Sequence, residues 1–148
     1  MSSRQVVVFK LNSEFYGIDI LKVKEICSYA ESVPIPNTPE FVEGIINFRG
    51  DIIPIINLRK ILLLGTKEHD IGTRIIIASE GNKQLGIIVD EVSEVLHISI
   101  KDIDTISELT KVKNKRLISG IGKLKDRIII LLDLVELTSD RLNIMEEA

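Results

Sequence analysis

The sequence predicts a mostly β protein in which two small β-barrels pack about one shared hydrophobic core, with a few short helices. Three observations point there. Apolar residues make up 45% of the 148-residue chain and charged residues 28%, enough to bury a core and keep a solvated surface. Isoleucine is abundant while aromatics reach only 4%, a balance that favours strands packed through aliphatic side chains. Finally, the chain repeats itself. Its length suits one ordinary domain, or two very small units sharing a core.

At an offset of 69 positions, Val6-Val7-Val8 falls on Ile75-Ile76-Ile77 and Tyr16-Gly17-Ile18 on Leu85-Gly86-Ile87. The match runs without a gap to Ile26 on Val95, so that Val23-x-Glu25 meets Val92-x-Glu94. After about seven additional residues in the second half it resumes at an offset of 76, with Gly44-Ile45 on Gly120-Ile121 and Ile52 to Leu58 on Ile128 to Leu134. Coincident glycines and the coincident Val-x-Glu pair set this apart from chance self-alignment of apolar strands. The expectation is one domain over 1–148 made of two pseudo-repeated β units, approximately 14–70 and 1–13 plus 71–148, with exchange of the terminal segments left open.

Each unit reads alike. A strand from Val6 to Leu11 meets a turn at Asn12-Ser13 and returns from Phe15 to Ile20; the partner turn is Glu80-Gly81-Asn82-Lys83. The apolar strands Asp51 to Ile56 and Arg127 to Leu132 each run into a side chain suited to capping a helix, Asn57 or Asp133. Short helices are therefore expected over Leu58 to Leu63, closed by Gly65, and over Leu134 to Leu137. A further helix is signalled by Thr38 as cap, Pro39 in the first turn, and Phe41, Val42, Ile45 and Ile46 on one face. Several short strands divided by turns suggest small barrels. Packed together, each covers the apolar face the other leaves open, with a groove where they meet.

A net charge of −3 and a pI of about 5.5 argue against a general nucleic-acid binder, which needs a basic face. The scarcity of aromatics argues against a single-strand binder. Cys27 is the one cysteine, so no disulfide forms within the chain, as suits a reducing compartment. No apolar targeting stretch precedes the first strand. The longest apolar run, Ile128 to Leu132, is far short of a membrane span. These features read as a cytoplasmic, soluble protein.

No catalytic, metal or cofactor constellation emerges. His69 lies in a polar loop and His97 amid alternating apolar residues, neither with a partner at metal-ligand spacing. His97 reads as a half-buried structural residue and Cys27 as a small buried hydrophobe. Gly120-Ile121-Gly122 lacks the residues that give a phosphate loop its mechanism and reads as a tight turn. Asp51, Asp90 and Asp133 are scattered at strand ends. The basic cluster Lys111, Lys113, Lys115 and Arg116, interrupted by Asn114, reads as a solvated loop. A binding module fits better than an enzyme; a small-barrel nucleic-acid binder is the alternative.

The two copies differ most where Asn47-Phe48-Arg49-Gly50 faces Lys123-Leu124-Lys125-Asp126. Arginine suits two-pronged binding of carboxylates, and Gly50 permits a backbone geometry closed to other residues. Glu25 is a candidate partner for Arg49. Arg49 is expected between a helix end and a strand start, so that pair pins the helix-to-strand turn, edges a surface that grips another protein, or does both.

At these residues the chain resembles the CheW family of chemotaxis coupling proteins. The resemblance is carried by Tyr16-Gly17-Ile18-Asp19-Ile20-Leu21-Lys22-Val23-x-Glu25-Ile26, by Pro39 through Gly44, and by Asn47-Phe48-Arg49-Gly50 with Pro54-Ile55-Ile56-Asn57-Leu58-Arg59. It continues through Gly86 to Leu96 and from Gly120-Ile121-Gly122 to Leu134, in order along nearly the whole chain. The resemblance implies two SH3-like five-stranded β-barrels and no enzymatic activity. It implies an adaptor linking the cytoplasmic tips of methyl-accepting chemotaxis receptors to the regulatory domain of the histidine kinase CheA, recruited beneath the membrane through those receptors. A related coupler of a non-motility pathway would share these features. The family's receptor-facing positions fall on Val23, Glu25, Gly44, Arg49, Thr73, Arg74 and Ile75, expected to flank the groove between the barrels. Ile20 and Leu109 fall on kinase-contacting positions. Two departures stand out: Phe48 occupies a position usually held by leucine, a change expected to alter packing only, and Asp104 to Thr110 lacks the prolines common there.

Overall fold

The computed structural model describes residues 2–105 and 117–134. The strands are β1 (Ser3–Leu11), β2 (Glu14–Asp19), β3 (Val23–Ser28), β4 (Val42–Phe48), β5 (Asp51–Asn57), β6 (Arg74–Glu80), β7 (Lys83–Val89), β8 (Glu91–Ser99), β9 (Ile103–Asp104), β10 (Ile118–Lys123) and β11 (Ile128–Leu132). Among the described residues, the short helix α1 (Leu58–Ile61) and the 3-10 turns Ile20–Lys22 and Ile100–Asp102 join them.

The strands form two sheets, ordered β8-β1-β2-β11-β10-β9 and β3-β6-β7-β5-β4. Each wraps its own apolar interior. Val6, Val8, Ile98, Ile129 and Leu131 fill the first; Ile53, Ile55, Ile75, Ile77 and Ile88 fill the second. A third, larger cluster lies between the sheets and includes Val7, Phe9, Leu11, Ile18, Ile56, Leu58, Ile76 and Ile87. Alternation along each strand produces this: Val6 and Val8 face inward while Val7 and Phe9 face the other sheet. The mostly β architecture around a shared core is as expected. The sheets, however, are open rather than closed by backbone pairing, and the first carries a sixth, two-residue strand.

The repeat is written into the register. The β1–β2 hairpin, which belongs by sequence to the first copy, pairs with β8 and β11 of the second; β6–β7 pairs with β3 and β5 of the first. The two copies thus exchange hairpins. Gly17 lies opposite Leu131, and Gly86 opposite Ile55, at matching positions of the repeat. Register shifts also recur at equivalent places, between Val23 and Glu25 opposite β6 and between Val8 and Phe9 of β1 opposite β8. Even single bonds are duplicated: Asn57 donates its N–H to the Phe41 carbonyl, and Asp133 to Leu117, both at 2.7 Å. Sheet membership therefore draws the seam at residues 20–22 and at Asp90. The division expected at 13/14 and 70/71 would have separated β1 from β2. A two-residue turn between Leu11 and Glu14, which pair directly, holds these strands in one sheet.

The helix expected after Thr38 is instead β4. Phe41, Val42, Ile45 and Ile46 satisfy a helical spacing and a strand alternation almost equally. Pairing with β5 from Val42↔Ile56 to Phe48↔Asp51 decides for the strand, as do β-branched residues and a glycine that disfavour helix. Gly44 is required here: a Cβ at this position would stand 2.3 Å from the Val33 carbonyl oxygen. Val33 lies against the outer edge of β4 by two backbone bonds to Ile45, each 2.9 Å. The helix after Asn57 does form, with the Asn57 side chain accepting the Lys60 N–H, but spans only Leu58–Ile61. The helix expected over Leu134 to Leu137 lies beyond the described residues apart from Leu134.

Candidate protein-docking site

All seven expected receptor-facing residues lie on the β3–β7 sheet or the turn that leads into it. Val23 and Glu25 are on β3, Gly44 on β4, and Arg74 and Ile75 on β6, with Thr73 just before it. β3 and β6 are neighbours, pairing Cys27 with Ile75 and Ser28 with Arg74. Arg49 comes to them from the opposite edge of the sheet. It occupies the two-residue turn between Phe48 and Asp51, with φ of 53° at Arg49 and 92° at Gly50. Positive φ at both central residues is the type I′ geometry that matches strand twist in a tight hairpin. The Asn47 side-chain oxygen accepts the Gly50 N–H at 2.9 Å and fixes the turn.

Held this way, an Arg49 Nη lies 2.7 Å from the Glu25 carboxylate. Glu25 is held in turn by the Cys27 thiol, which donates to its other oxygen over 3.6 Å. Burial, reinforced by the Glu25 charge, pushes the Cys27 thiol pKa up, so it stays protonated and a donor. Cys27 is half-buried rather than fully buried. The expected Glu25–Arg49 pair therefore forms, but it joins a hairpin tip to an edge strand. No helix is involved.

The other sheet carries its own version. Glu94, the repeat partner of Glu25, pairs with Arg127 at 2.6 Å. Arg127 precedes β11 and lies over the Phe15 ring, 4.7 Å from its centroid. The Val-x-Glu pair noted in both halves thus places a glutamate that grips the β4–β5 or β10–β11 connection. The two arginines differ in one respect that matters: the Arg127 side chain is 18% exposed and that of Arg49 72%.

Three of the seven residues cannot offer a side chain to a partner. Ile75 is 1% exposed and belongs to the interior of its sheet. Its side chain packs into the interior of the sheet, so the position can flank a groove but cannot supply apolar contact to a partner there. Gly44 has no side chain and seats Val33 instead. Thr73 is buried, its hydroxyl accepting the Asp70 N–H at 2.9 Å. Arg74 donates to the carbonyls of Ile71 and Thr73, so its guanidinium bends onto its own loop. Val23 is half-buried against the shared core. Ile20, in the 3-10 turn that crosses between sheets, also packs partly on that core; Leu109 lies outside the described residues, as does the basic cluster 111–116.

Strand alternation reveals Ile26, which sequence patterning passed over, and the structure gives Phe48, already noted as a departure from the family, a contact with Arg49. Ile26, outward on β3 between Glu25 and Cys27, remains 39% exposed. Phe48 places its ring beneath Arg49. Of the histidines, His97 is exposed rather than half-buried, and His69 stacks on Tyr29 with centroids 3.8 Å apart.

Comparison with known proteins gives this geometry a context. Residues 5–142 match the CheW-like domain. The chain belongs to the CheW family. It is 38% identical over 136 residues to the chemotaxis protein CheW of Klebsiella aerogenes, covering 92% of this chain and 82% of that protein. It is 37% identical to the CheW of Treponema pallidum, over 93% of this chain and 83% of that one. The crystal structure of the scaffolding protein TtCheW from Thermoanaerobacter tengcongensis superposes with a TM-score of 0.87 at 38% identity, covering 97% of this chain and 98% of that one. This CheW-family chain is therefore of the chemotaxis scaffold class. No helix among its described residues is long and apolar enough to cross a membrane.

Proposed function

We propose that this chain is a non-catalytic adaptor that couples methyl-accepting chemotaxis receptors to the regulatory domain of CheA, working in the cytoplasm at the inner face of the membrane. The observation that carries this reading is the contrast between the two arginine clamps. In one sheet Arg127 is covered and serves the fold. In the other, Arg49 is held by the same kind of carboxylate yet left open, with donors to spare for a partner's carboxylate. The left-handed backbone adds to the argument. A non-glycine residue at φ 53° is disfavoured by about 1–2 kcal/mol, and Asn-Gly is the pair best suited to such a turn. An arginine kept there works against the local fold, as functional residues often do.

The receptor tip, a helical bundle, would lie along the edge formed by Val23, Glu25 and Arg49, with Ile26 adding apolar contact and Arg49 fixing orientation. Ile20 would contribute to the kinase contact. Modest affinity suffices for such an adaptor, since repeated assembly multiplies it.

Arg49→Asn tests this directly. The variant keeps the turn and removes the guanidinium. We expect thermal stability equal to or above that of the parent and receptor-tip binding weakened about tenfold or more, yet still measurable by titration. Undiminished binding in the folded variant would reject the site.

A further inference from the structure

The Phe48 ring is half-buried, with its inner part packed against the interior cluster of Ile53, Ile55, Ile75, Ile77 and Ile88. The Arg49 Cζ lies over that ring, 5.2 Å from its centroid. The guanidinium is therefore restrained three times over, by a left-handed backbone, by the Glu25 carboxylate at 2.7 Å and by an aromatic face. Arginine side chains ordinarily lose considerable rotamer freedom on binding.

The other sheet has independently assembled the same trio, Arg127, Glu94 and Phe15. Its ring comes from β2 and not from the residue before the arginine, so the repeat alone did not supply it. In both sheets a ring, a guanidinium and a carboxylate form the stable arrangement. Only around Arg49 does that arrangement leave the cation facing solvent.

We infer that Phe48 is a positioning residue for the docking site: its ring face pre-orients the Arg49 guanidinium toward a carboxylate on the partner helix. The inference rests on the receptor reading of Arg49. A cation over an aromatic face at an exposed site contributes modestly, and ordering the side chain in advance lowers the entropic penalty of docking. Phe48→Leu keeps an apolar plug but removes the π face, whereas Phe48→Tyr keeps both.

Two measurements on the full-length chain test this separately from the receptor reading. In the free protein, the Arg49 Nε–H resonance should show a ring-current shift that Phe48→Leu abolishes and Phe48→Tyr preserves; a resonance that does not respond would overturn the platform regardless of any partner. In titrations with a receptor-tip fragment, Phe48→Leu should weaken binding by about two- to fivefold, with Phe48→Tyr unchanged. In an Arg49→Asn background the same Phe48→Leu change should have no effect. Equal weakening in both backgrounds would make Phe48 merely structural and overturn the inference. An Arg49→Asn variant that binds normally, beside an intact ring-current shift, would overturn the receptor reading, and the docking role of Phe48 with it, while leaving the platform itself standing.

Discussion

Arg59 and Asp90 pair at 2.8 Å where the chain passes between the two sheets, with side chains only 9% and 11% exposed. The same Asp90 oxygen accepts the Asn12 N–H at 2.7 Å, and Arg59 Nε donates to the Gly65 carbonyl at 3.1 Å. One ion pair thus ties the α1 loop, the β7–β8 junction and the β1–β2 turn. At the repeat offset Asp90 falls on Leu21, so this charge has no counterpart in the other copy. Single occurrence fits a seam that is crossed by a network rather than built from symmetric packing alone.

Removing one partner leaves a buried charge without compensation, a change that typically costs about 3–5 kcal/mol. Asp90→Ala should lower stability by that order in urea unfolding, while Arg59→Met with Asp90→Leu should recover much of it. A loss below about 1 kcal/mol for the single change would show that solvent reaches Arg59 and relieves it.

The two clamps should separate in a stability measurement. Arg49→Ala removes a mostly exposed pair and should change unfolding free energy by less than about 1 kcal/mol. Arg127→Ala uncovers Phe15 as well as removing the pair, and should cost more, about 1–3 kcal/mol. Equal effects would mean that exposure does not distinguish them.

Acid should loosen the clamp between Glu94 and Arg127. The Arg127 guanidinium holds the Glu94 carboxyl below the usual carboxylate value of 4.5, with the Ser93 hydroxyl assisting. A folded pKa lowered in this way stabilises the protein fully above the ordinary value, and the contribution fades as pH falls through the lowered one. Glu94→Gln should therefore show a flatter dependence of melting temperature on pH below about 4.5. If the two curves run parallel through that range, the pairing does not shape acid stability.

A methyl group at position 44 would meet backbone, which cannot swing aside. Gly44→Ala should displace Val33 from the β4 edge and destabilise by about 1–3 kcal/mol. Amide exchange at Val33 and Ile45, which bond each other's carbonyls, should accelerate before that of the sheet interior.

The duplicated plan could be read from the sequence because both copies keep their glycines, their Val-x-Glu pair and their apolar alternation. The Glu25–Arg49 pair was legible for a related reason, since Arg49 stands where the copies diverge. The strand at Val42–Phe48 was not, because four apolar residues fit two periods and only β5 decides between them. Nor could spacing show that Ile75 and Thr73 are covered. Residues on one strand share a face by alternation, but their exposure depends on what the next strand lays over them.

By itself, the sequence determined a β-rich, twice-repeated protein with hairpins at Asn12-Ser13 and Gly81-Asn82 and a short helix capped by Asn57 at a strand end, because these follow from local conformational preference and periodicity. Only the tertiary structure decided that the copies trade hairpins, that Arg59 meets Asp90 across 31 residues, and that Arg127 is covered while Arg49 stays open. Those outcomes depend on which distant strands pair, and pairing is settled by burial summed over the whole molecule, which no short stretch of chain contains.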